Sequence, residues 1–149
     1  LSTTPADSLP FFFFEGTHGF LESAGIGTTQ SSGGRSVGSF TLTGGPPSPG
    51  NAGFVARVDN TVPGAIPVLV VALPSSPPYA PIGDGELVIN PNGILFAVPA
   101  VQTPAGSAFV PVPIPLEAKG AGVSIAFQWG YIDPGTNSLA VSDAMVANY

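Results

Sequence analysis

Charge is the scarcest commodity in this sequence. Charged residues make up 8% of the 149 positions, against about 25% in ordinary soluble domains. Arg35, Arg57 and Lys119 are the whole cationic complement, set against nine carboxylates for a formal net charge of −6. Binding to nucleic acid or to an anionic membrane surface needs a basic patch, which three scattered cations do not make. Neither partner is expected. Cysteine is absent, which excludes a disulfide framework and any thiolate chemistry. The single histidine, His18, falls short of the several His or Cys ligands that a transition-metal site wants. No metal and no cofactor is expected. No run approaches the roughly 20 apolar residues of a membrane helix, so no membrane span is expected either. None of the six asparagines stands in an Asn-x-Ser/Thr acceptor; any glycan would be O-linked to the many Ser and Thr residues.

What is plentiful is glycine (20), proline (18) and apolar side chains at 44%. Glycine and proline at that level can signal disorder, but disordered chains lack apolar residues. Many short strands separated by turn residues fit both numbers. Apolar residues nowhere recur at helical spacing over three turns, so essentially no helix is expected. The length suits one domain with a real core.

The chain divides into an N-terminal extension, residues 1–15, and a β-domain, residues 16–149. Residues 1–10 are polar, with two prolines and no periodicity. A run of four phenylalanines follows: Phe11, Phe12, Phe13 and Phe14, behind Leu9 and Pro10. Successive side chains of a strand point to opposite faces, so two rings go each way and the run needs cover on both. Residues 16–35 carry six glycines and read as a joint and loop. Strands are expected over residues 37–43, 53–59, 66–73, 86–89, 94–98, 107–114, 122–133 and 139–147, with another near Phe20 and Leu21. Residues 66–73 are aliphatic throughout and should be buried on both faces. Residues 74–81 read as a proline-stiffened loop, and Asn90-Pro91-Asn92-Gly93 as a hairpin turn.

Two strands carry particular information. Residues 107–114 hold Pro111 and Pro113, with Pro115 beyond. Backbone N–H groups two residues apart point to one side of a strand, so these prolines strip donors from a single edge. That marks an edge strand whose outer side resists templated pairing. Residues 122–133 place Val123, Ile125, Phe127, Trp129 and Tyr131 on one face, the expected core. The whole reads as an all-β antiparallel β-sandwich, Ig-like or jelly-roll-like, of about nine strands.

By Trp129 enough short motifs have accumulated to carry a resemblance. They are Gly44-Gly45-Pro46-Pro47 with Gly50-Asn51-Ala52-Gly53-Phe54, then Leu87-Val88-Ile89-Asn90-Pro91, Ala105-Gly106-Ser107-Ala108 and Pro113-Ile114-Pro115. Gln128-Trp129, Asp133-Pro134 and Leu139-Ala140-Val141-Ser142 complete the set. Residues 18–146 thereby resemble a small secreted β-domain found at the ends of exported proteins of planctomycetes and related bacteria. The resemblance implies secretion and a β fold but no activity. Members often carry a cysteine pair, whose places here fall near Glu22 and Gly85. The N-terminal layout is similar to that of pilus subunits assembled by donor-strand exchange, in which an apolar extension completes the sheet of the next subunit.

Catalytic chemistry has little to stand on. His18 is the one imidazole available to activate a Ser or Thr nucleophile, and it sits beside the presumed joint. Asp84 with Glu86, or Asp133 with Asn137, would suit calcium, but turn-forming Asp and Asn are the expected reading and no calcium-loop pattern is present. No carboxylate pair for glycoside cleavage stands out, and no enzymatic activity is expected. Tyr79, in a proline-rich loop, is the candidate for an exposed ring.

The expectation is therefore a structural subunit of an extracellular, pilus-like helical filament. Its partners are copies of itself, linked by Leu9, Phe11, Phe12, Phe13 and Phe14 inserted into the neighbouring subunit, with O-linked glycans on the surface. A start at Leu1-Ser2-Thr3-Thr4 without methionine suggests export after signal-peptide removal. The alternative reading is a secreted carbohydrate-binding or adhesive β-sandwich module of a larger exported protein. Residues 66–72 are the expected part of the acceptor.

Overall fold

The computed structural model describes residues 20–25, 27, 39–83, 85–133, 135 and 137–149. Among them it is all-β, with ten strands and a single 3-10 turn at Leu116–Ala118. The strands are β1 (Leu21–Ala24), β2 (Ser39–Thr43), β3 (Val55–Asp59), β4 (Val68–Pro74), β5 (Ala80–Ile82), β6 (Gly85–Leu87), β7 (Ile89–Pro99), β8 (Ala108–Pro111), β9 (Ser124–Asp133) and β10 (Ser138–Asn148). They form a five-stranded sheet in the order β1-β10-β9-β4-β7, a three-stranded sheet β2-β3-β8 and a two-stranded ribbon β5-β6. Every recorded pairing is antiparallel. The architecture is a β-sandwich.

Period-two alternation builds the core. On β9, Phe127, Trp129 and Tyr131 are buried, and Leu69 and Val71 of β4 lie opposite Trp129 and Phe127 in the ladder. From the facing sheet come Phe40, Ala56, Val58 and Val110, joined by Phe54, Val112 and Ile114 from the flanking chain. Phe54 meets Phe127 edge-on across the sheets, with ring centroids 5.6 Å apart, the arrangement aromatic quadrupoles favour. Tyr131 belongs to a smaller cluster with Val62, Ala65 and Ala140.

The other face of the five-stranded sheet is covered at its centre by β6 and the start of β7. Val88 and Ile89 pack on Ala72, Ala126 and Ala144. The small side chains let that backbone approach, and one buried amide fastens it. Gln128 Oε1 accepts from the N–H groups of Val88 (2.9 Å) and Ile89 (3.4 Å). Its Nε2 donates to the carbonyls of Glu86 and Ser142, both at 2.8 Å. A buried amide is tolerated when its donors and acceptors are met in this way.

The ten strands among the described residues accord with the expected sandwich of about nine. Several finer expectations are revised. β5 lies in the segment read as a proline-stiffened loop; Pro81 faces Glu86 in the ribbon, a position that asks no N–H of an outermost strand. Asn90-Pro91-Asn92-Gly93 does not reverse the chain. It lies within β7, where the ladder to β4 slips between Ala72 and Pro74, and the Asn92 N–H binds Asn90 Oδ1 at 2.9 Å. The turn chemistry is used up locally, as a bulge in an edge strand. Val123 is not core: it precedes β9 and is 44% exposed, while Ile125 is half-buried.

Candidate functional site

The two principal sheets have unequal widths, and the site follows from that inequality. The three-stranded sheet ends at β8, whereas the five-stranded sheet ends at β7. Phe96 of β7 sits opposite Val71 of β4, on the inward side of its sheet. Val71 is 3% exposed and Phe96 43%. Side by side in one ladder, one has a roof and the other does not.

Between the two edges runs an apolar groove enclosing a cavity of about 540 Å³. Its walls are Leu95 and Phe96 on one side and residues 111–115 on the other, above Val71, Ile125 and Phe127. Val123, the displaced member of the expected core stripe, is also among its lining residues. The ladder slips between Val71 and Ala72, which pair with Phe96 and Ile94. Leu95 is the extra residue, and a bulge of this kind re-aims side chains; both Leu95 and Phe96 line the groove. Tyr149 also lines it, with its hydroxyl donated to the Pro47 carbonyl at 2.6 Å. Burial raises the Tyr149 pKa above the usual phenol value.

The β8 wall has a one-sided backbone. The Val112 N–H binds the Phe54 carbonyl at 2.9 Å and the Ile114 N–H binds the Asn51 carbonyl at 3.0 Å. Those groups face the β3 side. Peptide groups of Pro111 and Pro113 therefore face outward, where they have carbonyls and no N–H.

The polar constellations elsewhere are structural ties. Asp59 Oδ1 accepts from Arg57 Nε and Ser107 Oγ, each at 2.7 Å, and Oδ2 from Thr41 Oγ1 at 3.1 Å. Burial pushes its pKa up, but these hydrogen bonds and the guanidinium charge outweigh that and hold it below the ordinary value. The Arg57 guanidinium also stands over the Phe109 ring, 5.1 Å from its centroid. Asp133 Oδ1 accepts from the Gly135 N–H at 2.9 Å, and its carbonyl from the Asn137 N–H at 2.7 Å, a turn rather than a cation cage. No group of three or more His, Asp or Glu side chains able to hold a metal occurs among the described residues. Tyr79 is half-buried against the Ala72–Val88 cluster and is not the exposed ring expected of it.

Leu9, Phe11, Phe12, Phe13, Phe14 and His18 lie outside the described residues. Of the expected acceptor, Val71 reaches the groove, but β4 is an interior strand paired on both sides. Sequence reasoning missed Leu95, Phe96, Val112 and Ile114 as groove residues. A signal was present in the five consecutive apolar residues 94–98, which leave an edge strand apolar on both faces.

No protein-family model matches the chain, and neither the curated proteins nor the solved structures contain a significant match.

Proposed function

We propose that this chain is the repeating subunit of an extracellular, pilus-like filament, in which the N-terminal strand of one copy inserts into the sandwich of the next. The observation that carries the reading is the unroofed inner face of β7, where Phe96 is 43% exposed beside a buried Val71. The chain offers a deficit and a surplus of matching chemistry. The deficit is an apolar groove at the sandwich edge; the surplus is Phe11, Phe12, Phe13 and Phe14, which as a strand need cover on both faces. Burying the two inward rings supplies roughly 2 kcal/mol each before ordering costs.

The placement of the elements favours a neighbour over self-insertion. The extension leads into β1, at one edge of the five-stranded sheet, and β7 forms the other edge. Four strand spacings separate them, about 19 Å. Residues 15–20 fully extended span about 20 Å, so a chain reaching its own far edge would have no slack. A connector leaving one edge for an acceptor at the opposite edge makes a heterologous contact, which can repeat into an open helical filament.

Export, and O-linked glycans as surface cover, are supported by the low charge and by the resemblance to secreted bacterial β-domains. Negative-stain electron microscopy of the full chain beside a chain lacking residues 1–14 tests the role. Filaments from the first and unassembled folded protein from the second are expected. Monomers from the full chain would overturn it.

A further inference from the structure

We propose that the incoming strand lies along the outer edge of β8, as a fourth strand of the smaller sheet, and that this edge accepts hydrogen bonds while offering almost none. The inference rests on the filament reading above and names the seat and direction of its joint. Only a strand added beside β8 roofs the inner face of β7; one added beyond β7 would lengthen the larger sheet and leave Phe96 bare.

The chemistry of that edge is unusual. At Pro111 and Pro113 the outward backbone has a carbonyl and no N–H, because the neighbouring Val112 and Ile114 direct their N–H groups to the Phe54 and Asn51 carbonyls on the β3 side. Two such edges cannot pair with each other, since neither has enough donors. A strand with its own N–H groups intact can pair, by giving and not receiving. Residues 11–15 have an N–H at every position, and the one donor-less residue nearby, Pro10, precedes them. The prolines thus do not close the edge. They bar β8-to-β8 pairing between copies while leaving the carbonyls for a donating strand, which makes the joint one-way.

Volume agrees with the two-faced pattern. A sealed apolar cavity of about 150 Å³ holds one benzene ring, so two inward phenyl rings ask for about 300 Å³. The open groove encloses about 540 Å³. The two remaining rings fall on the outer face of β8, beside Phe109, itself 42% exposed.

The absence of cysteine from the chain allows a direct test. Four donor variants, Phe11→Cys, Phe12→Cys, Phe13→Cys and Phe14→Cys, are each unfolded, mixed with an acceptor variant, Pro111→Cys or Phe109→Cys, refolded together and oxidised. Both acceptor positions are exposed on the outer face of β8. Disulfides need Cα atoms about 4.4–6.8 Å apart, so two-chain products should come from alternate donor positions, Phe11 and Phe13 or Phe12 and Phe14. As a second readout, Pro111→Cys in an otherwise unaltered chain should lose maleimide labelling on assembly and label freely when residues 1–14 are removed. Filaments that form with no alternating cross-link and no protection would overturn the β8 seat and leave the filament reading standing. Failure of the unaltered chain to form filaments would overturn the reading beneath it.

Discussion

Val71 and Phe96 are cross-strand partners in one ladder, yet Val71 is 3% exposed and Phe96 43%. The difference is set by the opposite sheet, which roofs β4 and stops before β7. Because Phe96 is half open in the single subunit, Phe96→Ser should cost the isolated fold no more than about 1 kcal/mol. It should greatly weaken assembly, because the inserted rings lose an apolar wall. Thermal unfolding with filament yield, measured on the same preparation, separates the two effects. Unchanged filament yield would show that the groove does not carry the contact.

Gln128 is the second place where one side chain decides a great deal. It is 2% exposed and serves the Val88 and Ile89 N–H groups and the Glu86 and Ser142 carbonyls. Gln128→Leu strands those groups, and each buried group left unpaired costs about 1–3 kcal/mol. A destabilisation of at least about 2 kcal/mol is expected. Urea unfolding followed by fluorescence of Trp129, the one tryptophan and fully buried, measures it. A loss much below that would mean that water replaces the amide.

Gly44 tests the loop between β2 and β3. Its φ is +72°, and a Cβ there would collide with the Gly53 carbonyl oxygen. Asn51 holds the same loop, donating through Nδ2 to the Gly44 and Pro46 carbonyls at 2.9 and 2.7 Å. Gly44→Ala should destabilise by about 1–3 kcal/mol through backbone strain, read as a lowered melting temperature. An unshifted melt would contradict this loop geometry.

The pH dependence has opposite signs at its two ends. Asp59 has a folded pKa below its ordinary value of 3.8, so its contribution is present above 3.8 and is lost as pH falls through the lower folded value. Tyr149 has a folded pKa above its ordinary 10.0. Its contribution is intact below 10.0 and is lost as pH rises through the higher folded value. Asp59→Asn should flatten the acid limb alone and Tyr149→Phe the alkaline limb alone, in stability measured against pH.

How much of this was legible in the sequence depends on the range of the interaction. The β9 stripe of Phe127, Trp129 and Tyr131 was readable because period-two alternation is local. So was the edge character of β8, because Pro111 and Pro113 act on their own backbone. The groove was not readable. It arises from which strands share a sheet, and β4 lies between β7 and β9 through pairings up to 62 residues apart, as Val68 with Gly130. The Asn90–Gly93 segment misled for a related reason: its local chemistry suits a reversal as well as a bulge, and only the ladder to β4 decides. Val123 was misassigned because alternation gives a face but does not say where the covering sheet ends.

The most direct measurement is a helical reconstruction of the native filament by cryo-electron microscopy, at a resolution that traces the chain from residue 11 to Phe20. Continuous density is expected to leave β1 of one subunit and lie between β7 and β8 of the next, with two phenyl rings against Val71, Phe96 and Phe127. A groove filled by the subunit's own N-terminal strand, or left empty while subunits meet elsewhere, would contradict it.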